Sequence, residues 1–163
     1  MKKLLGSLLV ILVTVFLTIS PAMADDSSSV FANCYHIEDP DMQGAPVFAL
    51  NLLFNPSNNT VRGKGRIAQL DLLNMKTELE GEYISFVSSL SPNLTFIKAI
   101  GYPDIDFPPD AGIGPVILPN VKLEMQLKNL ESGIASYKYD SRGEQKFISM
   151  DLIPVQSVSC SES

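Results

Sequence analysis

The stretch VKLEMQLK, Val121 to Lys128, alternates without exception. Val121, Leu123, Met125 and Leu127 stand on one side, and Lys122, Glu124, Gln126 and Lys128 on the other. Successive side chains of a strand point to opposite faces, so this period of two predicts a β-strand with one buried and one wetted face. On a helix the same four apolar residues would scatter round the axis rather than share a stripe.

The pattern recurs along the chain. In NMKTELEGEYISFV, Asn74 to Val87, the charged residues Lys76, Glu78, Glu80 and Glu82 alternate with Met75, Thr77, Leu79, Gly81 and Tyr83. Beyond Tyr83 the phase blurs, because Ile84 and Phe86 fall on the charged side, and Gly81 marks a candidate bulge or bend. Residues 30–37, 46–55, 60–70, 93–102, 133–140 and 146–160 read as further strands. They are separated by turn chemistry: EDPDMQG, NPSNN, SSLSPN, LES and DSRGE. Helical periodicity occurs only near the N-terminus and, weakly, around residues 70–80. The expectation is an all-β fold, an antiparallel up-and-down meander of about eight strands.

The N-terminus reads MKKLLGSLLVILVTVFLTISPAMADD. Lys2 and Lys3, the apolar run from Leu4 to Ser20, and Ala22-Met23-Ala24 form a signal peptide over residues 1–24, leaving 25–163 as a single domain. Export to the periplasm or outside of a bacterium is expected, with no stable membrane insertion after cleavage. Without Lys2 and Lys3 the remainder carries ten basic against eighteen acidic residues. Such an acidic chain lacks the electrostatic footprint of a nucleic-acid binder.

Cys34 and Cys160 are the only two cysteines, and an oxidising compartment pairs them most simply as one disulfide. A disulfide needs its Cα atoms within about 7 Å, which brings the first and last strands together. A closed barrel, with the architecture of lipocalins and streptavidin, does this and removes both sheet edges. A two-sheet sandwich would meet the requirement only by chance, so the barrel is preferred. Phe48, Leu50, Leu52 and Phe54 supply one apolar row, yet Val47, Ala49 and Leu53 occupy the opposite face. That surplus suits contact with a second copy, a homo-oligomer, or cover by a loop.

Between Tyr102 and Val121 the alternation stops in YPDIDFPPDAGIGPVILPN. Pro103, Pro108, Pro109, Pro115 and Pro119 remove backbone donors. The apolar residues among them predict an ordered loop packed on the barrel. Tyr102, Phe107, Ile113 and Ile117 are the candidate lining for a small apolar ligand at a barrel mouth. Asp104, Asp106 and Asp110 lack the terminal bidentate glutamate of a calcium loop, so solvated carboxylates are expected, with no metal and no cofactor.

The segments GAPVFALNLLFNP, VRGKGRIAQ, LEGEY, IGYP, GIGPVILPNVKLEMQL and SGIASYKY together resemble a small bacterial family, domain of unknown function 1842, over Gly44 to Tyr139. The resemblance implies no catalytic residues. Nor do the residues themselves: there is one histidine, His36, and no Gly-x-Ser-x-Gly elbow, HExxH pair or phosphate loop. His36, with Glu38 or Asp39 nearby, lacks an activated nucleophile and reads as a strand residue beside the disulfide. The expected function is therefore a non-catalytic exported binding domain, the alternative being a structural or oligomeric envelope protein without a ligand.

Overall fold

The computed structural model describes residues 29–70, 72–89, 91–105 and 116–160, in which eight strands and no helix occur. The strands are β1 (Phe31–Ile37), β2 (Val47–Asn55), β3 (Thr60–Gln69), β4 (Leu73–Phe86), β5 (Leu94–Pro103), β6 (Val121–Lys128), β7 (Ser132–Tyr139) and β8 (Ile148–Val158). Each pairs antiparallel with the next, and β1 pairs with β8 to close the barrel. The period of two therefore located every strand. Residues 1–24, read from the sequence as a signal peptide, lie outside the described residues. Among those described, no helix is long and apolar enough to cross a membrane.

The closing seam is short, running from Cys34 opposite Val158 to Ile37 opposite Val155. At its end Cys34 is bonded to Cys160 with Cα atoms 5.1 Å apart, joining positions separated by 126 residues. The disulfide thus staples the one seam in which strands far apart in sequence must meet.

Side chains fill the interior. Phe48 on β2 meets Tyr137 on β7 with ring centroids 5.1 Å apart, and Phe54 meets Tyr83 on β4 edge-on at 5.2 Å. None of these strands are neighbours, so the rings span the barrel. Tyr35, Ile37, Leu50, Leu52, Leu123 and Leu127 complete the packing. An eight-stranded barrel is just wide enough for such filling. Gly65 provides part of the room: a Cβ there would lie 2.6 Å from the Phe48 ring and 3.2 Å from Leu50 Cδ2.

Two local readings need correction. Gly81 is no bulge, since β4 keeps one register along both neighbours. It allows close approach instead, because a Cβ would lie 2.1 Å from the Lys98 carbonyl oxygen. The register shift falls between β7 and β8, at Ala135 to Tyr137. There Leu152 takes a left-handed φ of 57° and its N–H donates to Ser136 Oγ at 3.1 Å. Nor does the phase slip beyond Tyr83: Ile84 and Phe86 continue the outer face, which has simply become apolar.

Replacing Cys34 and Cys160 together by serine is expected to lower stability by about 4–5 kcal/mol, the loop-entropy value for so long a closed loop. Urea unfolding should show a lower midpoint, and an unchanged midpoint would mean that the ring closes without help from the staple.

Candidate functional site

Two surfaces stand out, one at a barrel end and one on its wall. The β1–β2, β3–β4, β5–β6 and β7–β8 connections gather at the same end. Polar groups buried there organise the loops. Thr77 Oγ1 donates to Asn120 Oδ1 at 2.8 Å and lies 3.1 Å from the Tyr102 carbonyl oxygen. The Asn120 N–H donates to the Gly101 carbonyl and the Asn120 carbonyl accepts from the Asp140 N–H, which fixes the last residues before β6 against β5 and β7.

Asp140 then shapes the β7–β8 connection. Its carboxylate accepts from the backbone N–H of Arg142 at 3.1 Å and of Gly143 at 3.0 Å, and also from that of Gln145. The turn needs left-handed backbone at Gly143, φ 72°, and at Gln145, φ 59°. Burial pushes the Asp140 carboxyl up, but the backbone donors of Arg142, Gln145, Glu144 and Gly143 outweigh it and hold it below the usual carboxylate range.

These loops border a hollow of about 570 Å³ whose lining includes Lys76, Asp104, Ile105, Ile117, Asn120 and Asp140. Of the four residues expected at a ligand site, Ile117 lines this hollow. Tyr102 follows the outward parity of Phe96, Lys98 and Ile100 on β5 and is half-buried. Phe107 and Ile113 lie outside the described residues, as do Asp106 and Asp110. His36 stands on β1 opposite Ala49 and Gln156.

The wall surface is built from cross-strand register. Ile84 on β4 lies opposite Phe96 on β5, Phe96 opposite Gln126 on β6, Gln126 opposite Ile134 on β7, and Ile134 opposite Pro154 on β8. This outward row is largely apolar: Ile84 is 61% exposed, Phe96 41% and Ile134 41%, and nearby Phe86 and Leu152 are 58% and 69% exposed. The Phe86 and Phe96 rings meet edge-on at 5.9 Å, in the open. All five strands contribute to a groove of about 430 Å³ along this wall. Charge borders it, with Lys98 Nζ 3.5 Å from Glu124 Oε1.

Sequence reasoning placed the surplus apolar face on β2. There Val47 and Ala49 are half-buried, only Leu53 is exposed, and the partners of Ala49 and Leu53 on β3 are Arg66 and Arg62. The larger apolar surface is on the far side of the barrel. Its signal was the apparent loss of phase at Ile84 and Phe86, which recorded an apolar outer face.

Residues 28–145 match the family model described as Domain of unknown function (DUF1842), more than half of the 163-residue chain, and the chain belongs to that family. The matched span holds β1 to β7 and most of the Asp140 turn; the closing strand β8 and Cys160 follow it. No curated protein matches the chain.

Asp140 has a lowered carboxyl pKa in the folded state, so its stabilising effect is present above the unfolded value of about 3.9 and is lost as pH falls through the folded value. Asp140→Asn should unfold at lower urea concentration than the native chain at pH 7, with the gap closing as pH drops below the carboxylate range. A gap independent of pH would show that the charge of Asp140 does not hold the turn.

Proposed function

We propose that this chain is an exported, non-catalytic interaction domain that docks a macromolecular partner on the outer wall formed by β4 to β8. The observation that carries this reading is the apolar row of Ile84, Phe96 and Ile134, extended by Phe86 and Leu152, exposed on a barrel whose interior is already full. Scattered surface hydrophobes need no explanation, but a contiguous patch edged by charge is the usual mark of an interaction site. Three features support the rest of the proposal. The Cys34–Cys160 disulfide is of the kind that oxidising compartments sustain. The N-terminal Lys-Lys, apolar run and Ala-x-Ala have the order of a secretory signal. His36 has neither an acid nor a nucleophile among its cross-strand partners.

A second reading keeps a small apolar ligand, seated at the barrel end rather than inside. The hollow beside Ile105, Ile117 and Leu118 favours it, and Val116, 87% exposed, would gain cover from such a ligand.

A photo-crosslinking residue placed at position 96, in cells that make and export the chain, is expected to give a discrete cross-linked product. The same residue at position 51, on the polar outer face of β2, should give none. Ile84→Ser with Ile134→Ser should abolish the product while leaving the unfolding midpoint of the domain nearly unchanged. Equal products at positions 96 and 51 would contradict docking through this wall.

A further inference from the structure

We infer that the occupant of the β4–β7 part of this wall is a second copy of the same chain, joined about a two-fold axis that lies in the interface, parallel to the strands and between β5 and β6. The inference rests on the docking reading above and specifies its partner. It is carried by charge complementarity that the register imposes. A two-fold in that position sets β5 of one copy against β6 of the other and β4 against β7, keeping each cross-strand row level with itself.

The rows can be followed one by one. In one row Glu82, Lys98, Glu124 and Ser136 succeed each other across the four strands. The axis places Lys98 against the second copy's glutamate at position 124, twice over by symmetry, and Glu82 against a serine. The next row holds Glu80, Ile100, Lys122 and Lys138; here the glutamate meets a lysine and the other lysine meets isoleucine. In the apolar row, Ile84, Phe96, Gln126 and Ile134, isoleucine meets isoleucine and phenylalanine packs on the glutamine stem. The last row, Phe86, Leu94, Lys128 and Ser132, sets its lysine over leucine. No row opposes like charges.

An isologous contact must be self-complementary, because the same patch serves on both sides. Two rows set opposite charges together, Lys98 against Glu124 and Glu80 against Lys138, and this counts because like charges juxtaposed across an interface are strongly disfavoured. Lys98 and Glu124 are paired within one copy and exposed. They can exchange partners across the axis without either charge being stranded.

The test uses two charge reversals on the full exported domain. Lys98→Glu and Glu124→Lys each break the bridge within one copy, and each alone would set like charges against each other across the axis. Sedimentation equilibrium is expected to show a concentration-dependent dimer for the native chain and monomers for each variant. Mixing the two variants should restore a dimer containing one of each. Because the bridge within each copy stays broken in that mixture, recovery can come only from contacts between copies. Circular dichroism on each variant checks that the fold is kept; an unfolded variant is replaced by Glu80→Lys and Lys138→Glu, which form the next opposed pair. A native chain that stays monomeric at all concentrations, or folded variants that do not recover on mixing, would overturn the inference. If it were monomeric while position 96 still cross-linked to another protein in cells, the docking reading would stand and the second copy would fall.

Discussion

Ring closure is the constraint on which the rest of the structure depends. Once β1 must lie beside β8, eight strands enclose a space of nearly fixed width, and their inward residues have to fill it. The Cys34–Cys160 bond holds the seam between strands separated by almost the whole domain. Filling the space then demands large rings that reach across, Phe48 to Tyr137 and Phe54 to Tyr83, and a position without a side chain, Gly65, where the Phe48 ring would otherwise collide with the wall. Dense interiors resist both added and missing volume, so the barrel core has little freedom to become a container.

Closure also determines where polar groups can be buried. Strand ladders satisfy most of the backbone along the wall, the Leu152 N–H that donates to Ser136 Oγ being an exception, which leaves the barrel ends as the main place where backbone groups need other partners. At one end Thr77 and Asn120 tie the chain ahead of β6 to β5, and the Asp140 carboxylate gathers the N–H groups of its own turn. These residues build loops, and their chemistry is spent on hydrogen bonds to the backbone and to each other. The hollow they border is a consequence of that construction, with Ile117 on its rim.

Most of the fold was legible because a barrel strand writes its two environments directly into alternating residues. VKLEMQLK is the plainest example, and the two cysteines turned a meander into a ring. What escaped was of two kinds. Gly81 looked like a bulge because a glycine in a strand marks either irregular pairing or close approach, and only the neighbouring Lys98 carbonyl distinguishes them. The actual irregularity, at Leu152, carries no glycine and depends on a Ser136 hydroxyl one strand away. The apolar wall was hidden for a different reason: its members come from separate segments, and in sequence each looks incidental. Only the register unites Ile84, Phe96 and Ile134 in one row. The mouth residues rested on the apolar character of one loop, of which Tyr102 proves to share the outward parity of its strand.

A filled core and an exposed apolar wall divide the domain, and under the proposed function the interior supplies stability while the wall supplies contact. The most direct measurement is methyl NMR of the native domain across a dilution series. Docking of copies through the wall requires the methyl signals of Ile84, Ile100 and Ile134 to move with concentration, while those of Ile37, Leu50 and Ile67, enclosed in the barrel, stay where they are. Signals that hold still everywhere, or inner methyls that move while the wall does not, would contradict it.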